Sequence, residues 1–333
     1  MPFGYFKTAW RDIIDSPGWF GKLITLALVG LIPVFGPIVI YGYLYGWARD
    51  MAWGVHEPLS SRIFNNDDGR LYTRGFFALV ICAVSLIIPV IVNVILTALS
   101  RVIAVGVGIS SESLGPLFAA LIILNAVVAV VVFLLDLLMM VLRWVGIMRM
   151  SIYGRLSAGF QGSKIWAMIK HDSRGMGRIV GMSILLGLGM AVAMIVCDGI
   201  GFLIFLLGLF VSTGFDEDFF EEFASEGLSS VPPSLIVLIL LIAVALGLAC
   251  SMMSVFIEMM IARALGYWTR QFAVPLWRGQ DDPMPFQVAE SLGVPQPFGP
   301  GGPGGPGGPG GPGGPGGPGA YQGGWGGGGS RGY

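Results

Sequence analysis

Three acidic residues stand inside long apolar runs: Asp136, Asp198 and Glu258. A charged side chain is costly in hydrocarbon, so such residues are the first candidates for ion pathways, proton relays or ligand contacts in a membrane-embedded chain. Depth decides between those roles and interfacial ones. Asp136 lies 19 residues after Leu117, Asp198 19 after Ile179 and Glu258 24 after Ser234, or about 28, 28 and 36 Å of helix. Each distance brings the carboxylate near a membrane boundary rather than the midplane where transporter sites gather. Capping, snorkelling and pairing with Arg143 or Arg263 therefore compete with a relay. The other chemical candidate is backbone. In LITLALVGLIPVFGPIVIYGYLYGWARDMAWG, Leu23 to Gly54, Pro33 cannot donate to Val29 and Pro37 cannot donate to Pro33, while Gly36 adds no stiffness. The helix must kink or turn back there, which makes the opened backbone around Ile32 to Pro37 the remaining place for a substrate.

Signatures of other chemistry are missing from the sequence. His56 and His171 belong to no HExxH pattern, and neither a GxSxG elbow nor a GxxxxGK[ST] loop occurs. Neither histidine has a recognisable partner in the sequence. Cys82, Cys197 and Cys250 fall in apolar runs without metal or redox spacing. No catalytic, cofactor-binding or metal site is expected, and an enzyme is the least favoured class.

The elements that hold these residues follow from composition. The chain is 54% hydrophobic and 12% charged, against about 25% charged in soluble domains, and its mean hydropathy is +0.77. Five apolar segments, 23–47, 75–99, 117–145, 179–212 and 234–264, are long enough for membrane helices and lack the alternation of barrel strands. The expected fold is all-α and polytopic. The fourth segment has 34 residues, about 51 Å of helix, and exceeds one crossing. Asp198-Gly199 is its natural break, with Asp198 capping a second helix.

Basic residues orient the chain, because Lys and Arg in short loops stay cytoplasmic. Residues 143–178 hold seven basic residues against one acid, whereas 213–233 hold none against six acids. The first is read as cytoplasmic and the second as external. The loop around Arg101 and Glu112 is then external, and Arg49 to Arg74 and Arg263 to Arg278 are cytoplasmic. A first segment that crossed once would strand Lys7, Arg11 and Lys22 outside, so a bent, re-entrant segment is favoured. Ahead of it, residues 1–22 place Phe3, Phe6, Trp10 and Ile14 at helical spacing, as in an amphipathic helix on the membrane surface. The transmembrane domain is expected over 23–278 and a disordered cytoplasmic tail over 279–333, where GGP repeats six times.

Packing cues are weaker. Gly42-xxx-Gly46, Gly177-xxx-Gly181 and the Ala243, Gly247, Ser251 stripe suit close helix approach, and Asn93 and Asn125 suit interhelical hydrogen bonds. Ser163 to Arg178 reads as a basic amphipathic helix whose Ile165, Met168 and Ile169 share a face and whose Lys164, Lys170 and His171 suit phospholipid headgroups. Methionines such as Met139, Met140, Met259 and Met260 read as core filler.

Several runs carry a family resemblance: Asp-x-x-Gly-Trp at Asp15 to Trp19, GLIPVFGPIVIYGYLYGWARD, LYTRGFFALVICAVSLIIP from Leu71 to Pro89, and ARALGYWTRQ from Ala262 to Gln271. Over roughly residues 6–272 the chain resembles the domain of unknown function 4013 family, uncharacterised multi-pass prokaryotic membrane proteins. The resemblance implies a helical membrane fold and no site residues. Glu57-Pro58-Leu59 departs from the family's usual proline-tryptophan ending of the first loop. The expected role is a non-enzymatic accessory or interaction protein of the cell membrane, with a transporter or permease component as the alternative. Expected partners are membrane lipids and other membrane proteins or further copies of the chain. Nucleic acid is not among them, since a single Arg331-Gly332 pair is too little for RNA.

Overall fold

The computed structural model describes residues 4–292 except 61, 65, 67, 108–113 and 214–231. The acidic loop, Glu112, Phe3 and the GGP repeats lie outside the described residues. Nine α-helices and no strand occur among the described residues: α1 Gly4–Ile14, α2 Trp19–Gly30, α3 Phe35–Ala52, α4 Leu71–Val107, α5 Leu114–Tyr153, α6 Gly162–His171, α7 Ser173–Thr213, α8 Pro233–Arg270 and α9 Pro285–Ser291. Four of these, α4, α5, α7 and α8, are long and apolar enough to cross a membrane. Their 37 to 41 residues give about 55 to 62 Å of helix, far more than a hydrocarbon core of about 30 Å. The surplus at one end becomes the frame of a compact base.

The first apolar segment is a helical hairpin rather than a crossing. Between α2 and α3 the chain reverses through Pro33 and Val34, and the Phe35 N–H donates to the Pro33 carbonyl at 2.7 Å. That is a γ-turn with Val34 at φ 65° and ψ -53°, a strained conformation for a β-branched residue. Pro37 falls in the first turn of α3, where an N–H has no helical acceptor anyway. Gly36 lets the arms meet, because a Cβ there would collide with the Val29 carbonyl.

α3 then acts as the hub, packing against α2, α4, α5 and α8. Gly42 and Gly75 make its crossing with α4 so close that a Cβ on either would overlap the other helix's backbone carbonyl. Gly177, Gly181 and Gly247 face open space, so the other two small-residue stripes are not glycine contacts, although the Ser251 hydroxyl does donate to the Ala27 carbonyl at 2.7 Å.

Two expectations about helices are corrected. α7 runs unbroken through Asp198-Gly199. In a low-dielectric setting continuing the backbone ladder outweighs what one side-chain cap returns. The segment 163–178 is two helices that meet at Asp172, not one surface helix. Its apolar face, Ile165 and Met168, is buried in the protein core, while Lys164 donates to the Asp282 carbonyl at 3.0 Å.

Candidate functional site

The base is assembled around two buried arginines. Arg149, fully buried on α5, donates to Gln161 Oε1 at 2.6 Å and to the Gln280 carbonyl at 3.2 Å, and lies over the rings of Tyr153 and Trp277. Arg263 on α8 donates to Asp12 Oδ2 at 2.6 Å and stacks on Trp47 at 4.3 Å. Tyr267 donates to the same Asp12 oxygen at 2.6 Å, which leaves the His56 Nε2–H to donate to the Tyr267 oxygen at 2.7 Å. Burial, then the Arg263 charge, hold the His56 imidazole below its usual range, against the opposing pull of Asp12. His171 lies against Phe286 at 4.4 Å with Glu290 3.5 Å away. Both histidines thus have partners, contrary to the sequence expectation, because those partners come from helices more than a hundred residues distant.

Residues 279–292 belong to this base and not to a tail. Gln280, Asp281 and Asp282 bond Ser157, Gln161 and Lys164, and α9 buries Phe286. The base therefore includes residues past the expected boundary at 278.

Above the base the four long helices form two pairs, α4 with α5 and α7 with α8. A cleft of about 540 Å³ lies between them, lined from all four helices. Asp136, Arg143 and Glu258 share its wall with Ser85, Pro89 and Ser183. Pro89 has no N–H, so the Ser85 carbonyl lacks its usual donor one turn on and adds an acceptor to the cleft. Glu258 accepts from Tyr45 at 3.1 Å rather than pairing with Arg263, which is committed to Asp12. Arg143 closes no ion pair with either carboxylate.

The sequence candidates separate accordingly. Asp136 and Glu258, read individually as interfacial, come together in one cleft; Asp198 is exposed on the flank of α7 and does not line it. Pro33, Gly36 and Pro37 form the hairpin turn and do not line the cleft. The turn is not an opened backbone, since Leu31, Ile32, Phe35, Gly36 and Ile38 all donate to carbonyls within it. Asn93 accepts from Thr97 on its own helix, not from another. Arg143, expected as a loop charge and as a pairing partner of the acids, instead lines the cleft wall. Its i+7 spacing from Asp136 on one helix was the available signal.

The sequence profile for a protein family of unknown function, DUF4013, matches residues 25–200. The chain belongs to the DUF4013 family. This range is narrower than the resemblance over residues 6–272, and the ARALGYWTRQ run falls outside it. It takes in three of the four helices that line the cleft, α4, α5 and α7, with Asp136 and Arg143, while Glu258 on α8 lies beyond it. No curated protein and no solved structure matches the chain. For this DUF4013 protein the family assigns no role, which leaves the role to be read from the cleft.

Proposed function

We propose that the protein is a non-enzymatic interaction protein of the cell membrane whose cleft receives an apolar segment of a membrane partner. The observation that carries this reading is the cleft between two helix pairs, with two carboxylates and one guanidinium in its wall. Two carboxyl groups against one guanidinium give the wall more acceptors than charge partners, which favours a partner segment bearing a basic or hydrogen-bond-donating group. Sparse burial supports the same reading, since at most 22% of the most apolar stretch of any of the four long helices is buried inside the protein. The remaining surface is left to lipid and to neighbouring proteins. The basic base is read as the cytoplasmic face.

Photocrosslinking in native membranes tests this. A photoreactive residue at Leu137, in the cleft, should capture a protein, whereas one at the exposed Val244 should capture lipid. Glu258→Gln with Asp136→Asn should reduce the protein adduct severalfold. Lipid adducts alone at both positions would overturn the reading. A transporter or permease component is the second reading, and the intramembrane acids of the cleft favour it over the broken first segment. Solute flux in liposomes that falls on Asp136→Asn would select it.

A further inference from the structure

A second cavity, of about 250 Å³, lies where α4 begins and α5 ends, and Arg70, Thr73, Arg74, Ser151 and Gly154 line it over Phe77. It shares no residue with the cleft. Among the described residues, three guanidinium groups meet two carboxylates here. Arg49 bonds Asp50 at 2.8 Å and Asp68 at 3.0 Å, while Arg74 pairs with Asp68 and donates to the Gly42 carbonyl at 3.0 Å. Arg70 has no carboxylate partner among the described residues; its backbone N–H donates to Asp68 Oδ1 at 3.0 Å and its carbonyl accepts from the Arg74 N–H. Although burial raises the Asp68 carboxyl, the Arg70 N–H and Arg74 hold it below its usual range, so it stays ionised, and among the described residues the Arg70 guanidinium is the one left without a carboxylate.

The neighbouring hydroxyl points to what that charge is for. Ser151 is 3% exposed, and its Oγ has no hydrogen-bond partner among the described residues. A helical serine commonly returns its hydroxyl to the carbonyl one turn back, as Ser85 does to Ile81. Ser151 does not, although a buried unpaired hydroxyl is unfavourable. Gly154, at φ 66°, completes the wall, because a Cβ there would collide with the Arg70 guanidinium. The positive end of the α4 dipole lies at the same place.

We propose that this cavity binds a phosphate group, a monoester or diester, with the Arg70 guanidinium and the Ser151 hydroxyl as its donors and Arg74 supplying field from beneath. Arginine suits this because its fork of donors matches paired phosphate oxygens. The site opens beside Tyr72 and Thr73, both exposed, at the first turn of a helix that enters the membrane. The phosphate of an anionic lipid and a free phosphate both have the required chemistry.

The test uses the full chain in detergent, with lipid retention counted by native mass spectrometry and unfolding followed by heating. Phosphatidylglycerol, phosphatidylcholine and inorganic phosphate are the probes. Phosphatidylglycerol or inorganic phosphate should bind to one site, and Arg70→Gln should weaken that binding about tenfold or more, the loss typical of a charge-assisted contact. Ser151→Ala should weaken it severalfold, and Arg62→Gln, outside the cavity, should leave it unchanged. Retention of phosphatidylglycerol alone assigns the lipid, and protection by inorganic phosphate as well assigns a free phosphate. Should Arg70→Gln unfold the protein, Ser151→Ala decides, since a merely structural hydroxyl would leave binding unaltered. Equal binding by wild type and Ser151→Ala, or equal loss in Arg62→Gln, would overturn the proposal.

Discussion

Removing the Asp12 carboxylate should unfasten the N-terminal helix from the rest of the molecule. Asp12 is the counter-charge of Arg263, a residue 2% exposed on α8, and also the acceptor of the Tyr267 hydroxyl. In Asp12→Ala the guanidinium keeps its stacking on Trp47 but stays buried without an opposite charge, and one of its amino groups, Nη1, is already unpartnered. Breaking one side of a buried pair costs about 3–5 kcal/mol. With the Asp12 side chain 18% exposed, the lower end, about 3 kcal/mol, is expected because water relieves part of the loss. The comparison is Asp50→Ala, which breaks the more exposed Arg49 pair and should cost no more than about 1 kcal/mol. Reversible unfolding in mixed micelles gives both values, and hydrogen exchange over residues 4–14 reports whether α1 has come loose. Equal costs for the two variants, with exchange in α1 unchanged, would refute the argument.

Three further outcomes follow from the same structure. Val34→Gly relieves the strained γ-turn at some cost in chain entropy and should stabilise the protein by about 1 kcal/mol in the same unfolding assay. Because the folded His56 value is depressed, the unfolded chain takes up that proton first; stability should be complete above about pH 6.5, decline as pH falls below it and level off beneath the folded value. His56→Gln should flatten that part of the profile. Ending the chain after Arg278 removes the carbonyl and packing partners of Arg149, so that form should unfold at a lower temperature than one ending after Leu292, as read by thermal denaturation.

The long helices were legible because hydrocarbon length and backbone satisfaction leave few alternatives. Their ends were not: α4, α7 and α8 all run several residues past their apolar segments, since base contacts stabilise turns that hydropathy scores as polar. Pro33 and Pro37 announced the reversal, and the structure adds that the turn closes on itself instead of opening a site. The cleft was hidden for a geometric reason. Depth along a single helix makes Asp136 and Glu258 each interfacial, and nothing local in the sequence says that two pairs splay around them. Arg149, Arg263 and Tyr267 were likewise invisible as centres, because their partners are set by tertiary packing and not by spacing.

A hairpin first segment and four membrane-length helices gather α1, the 55–60 loop, α6 and residues 271–292 on a single side. Single cysteines at Lys7, Glu57, Arg155 and Gln280, in a background lacking Cys82, Cys197 and Cys250, can be probed with an impermeant thiol reagent in intact cells and in inverted vesicles. All four should label only in inverted vesicles. Labelling of the Lys7 position in intact cells, with the other three protected, would mean that the first segment crosses the membrane, and would contradict the fold as described.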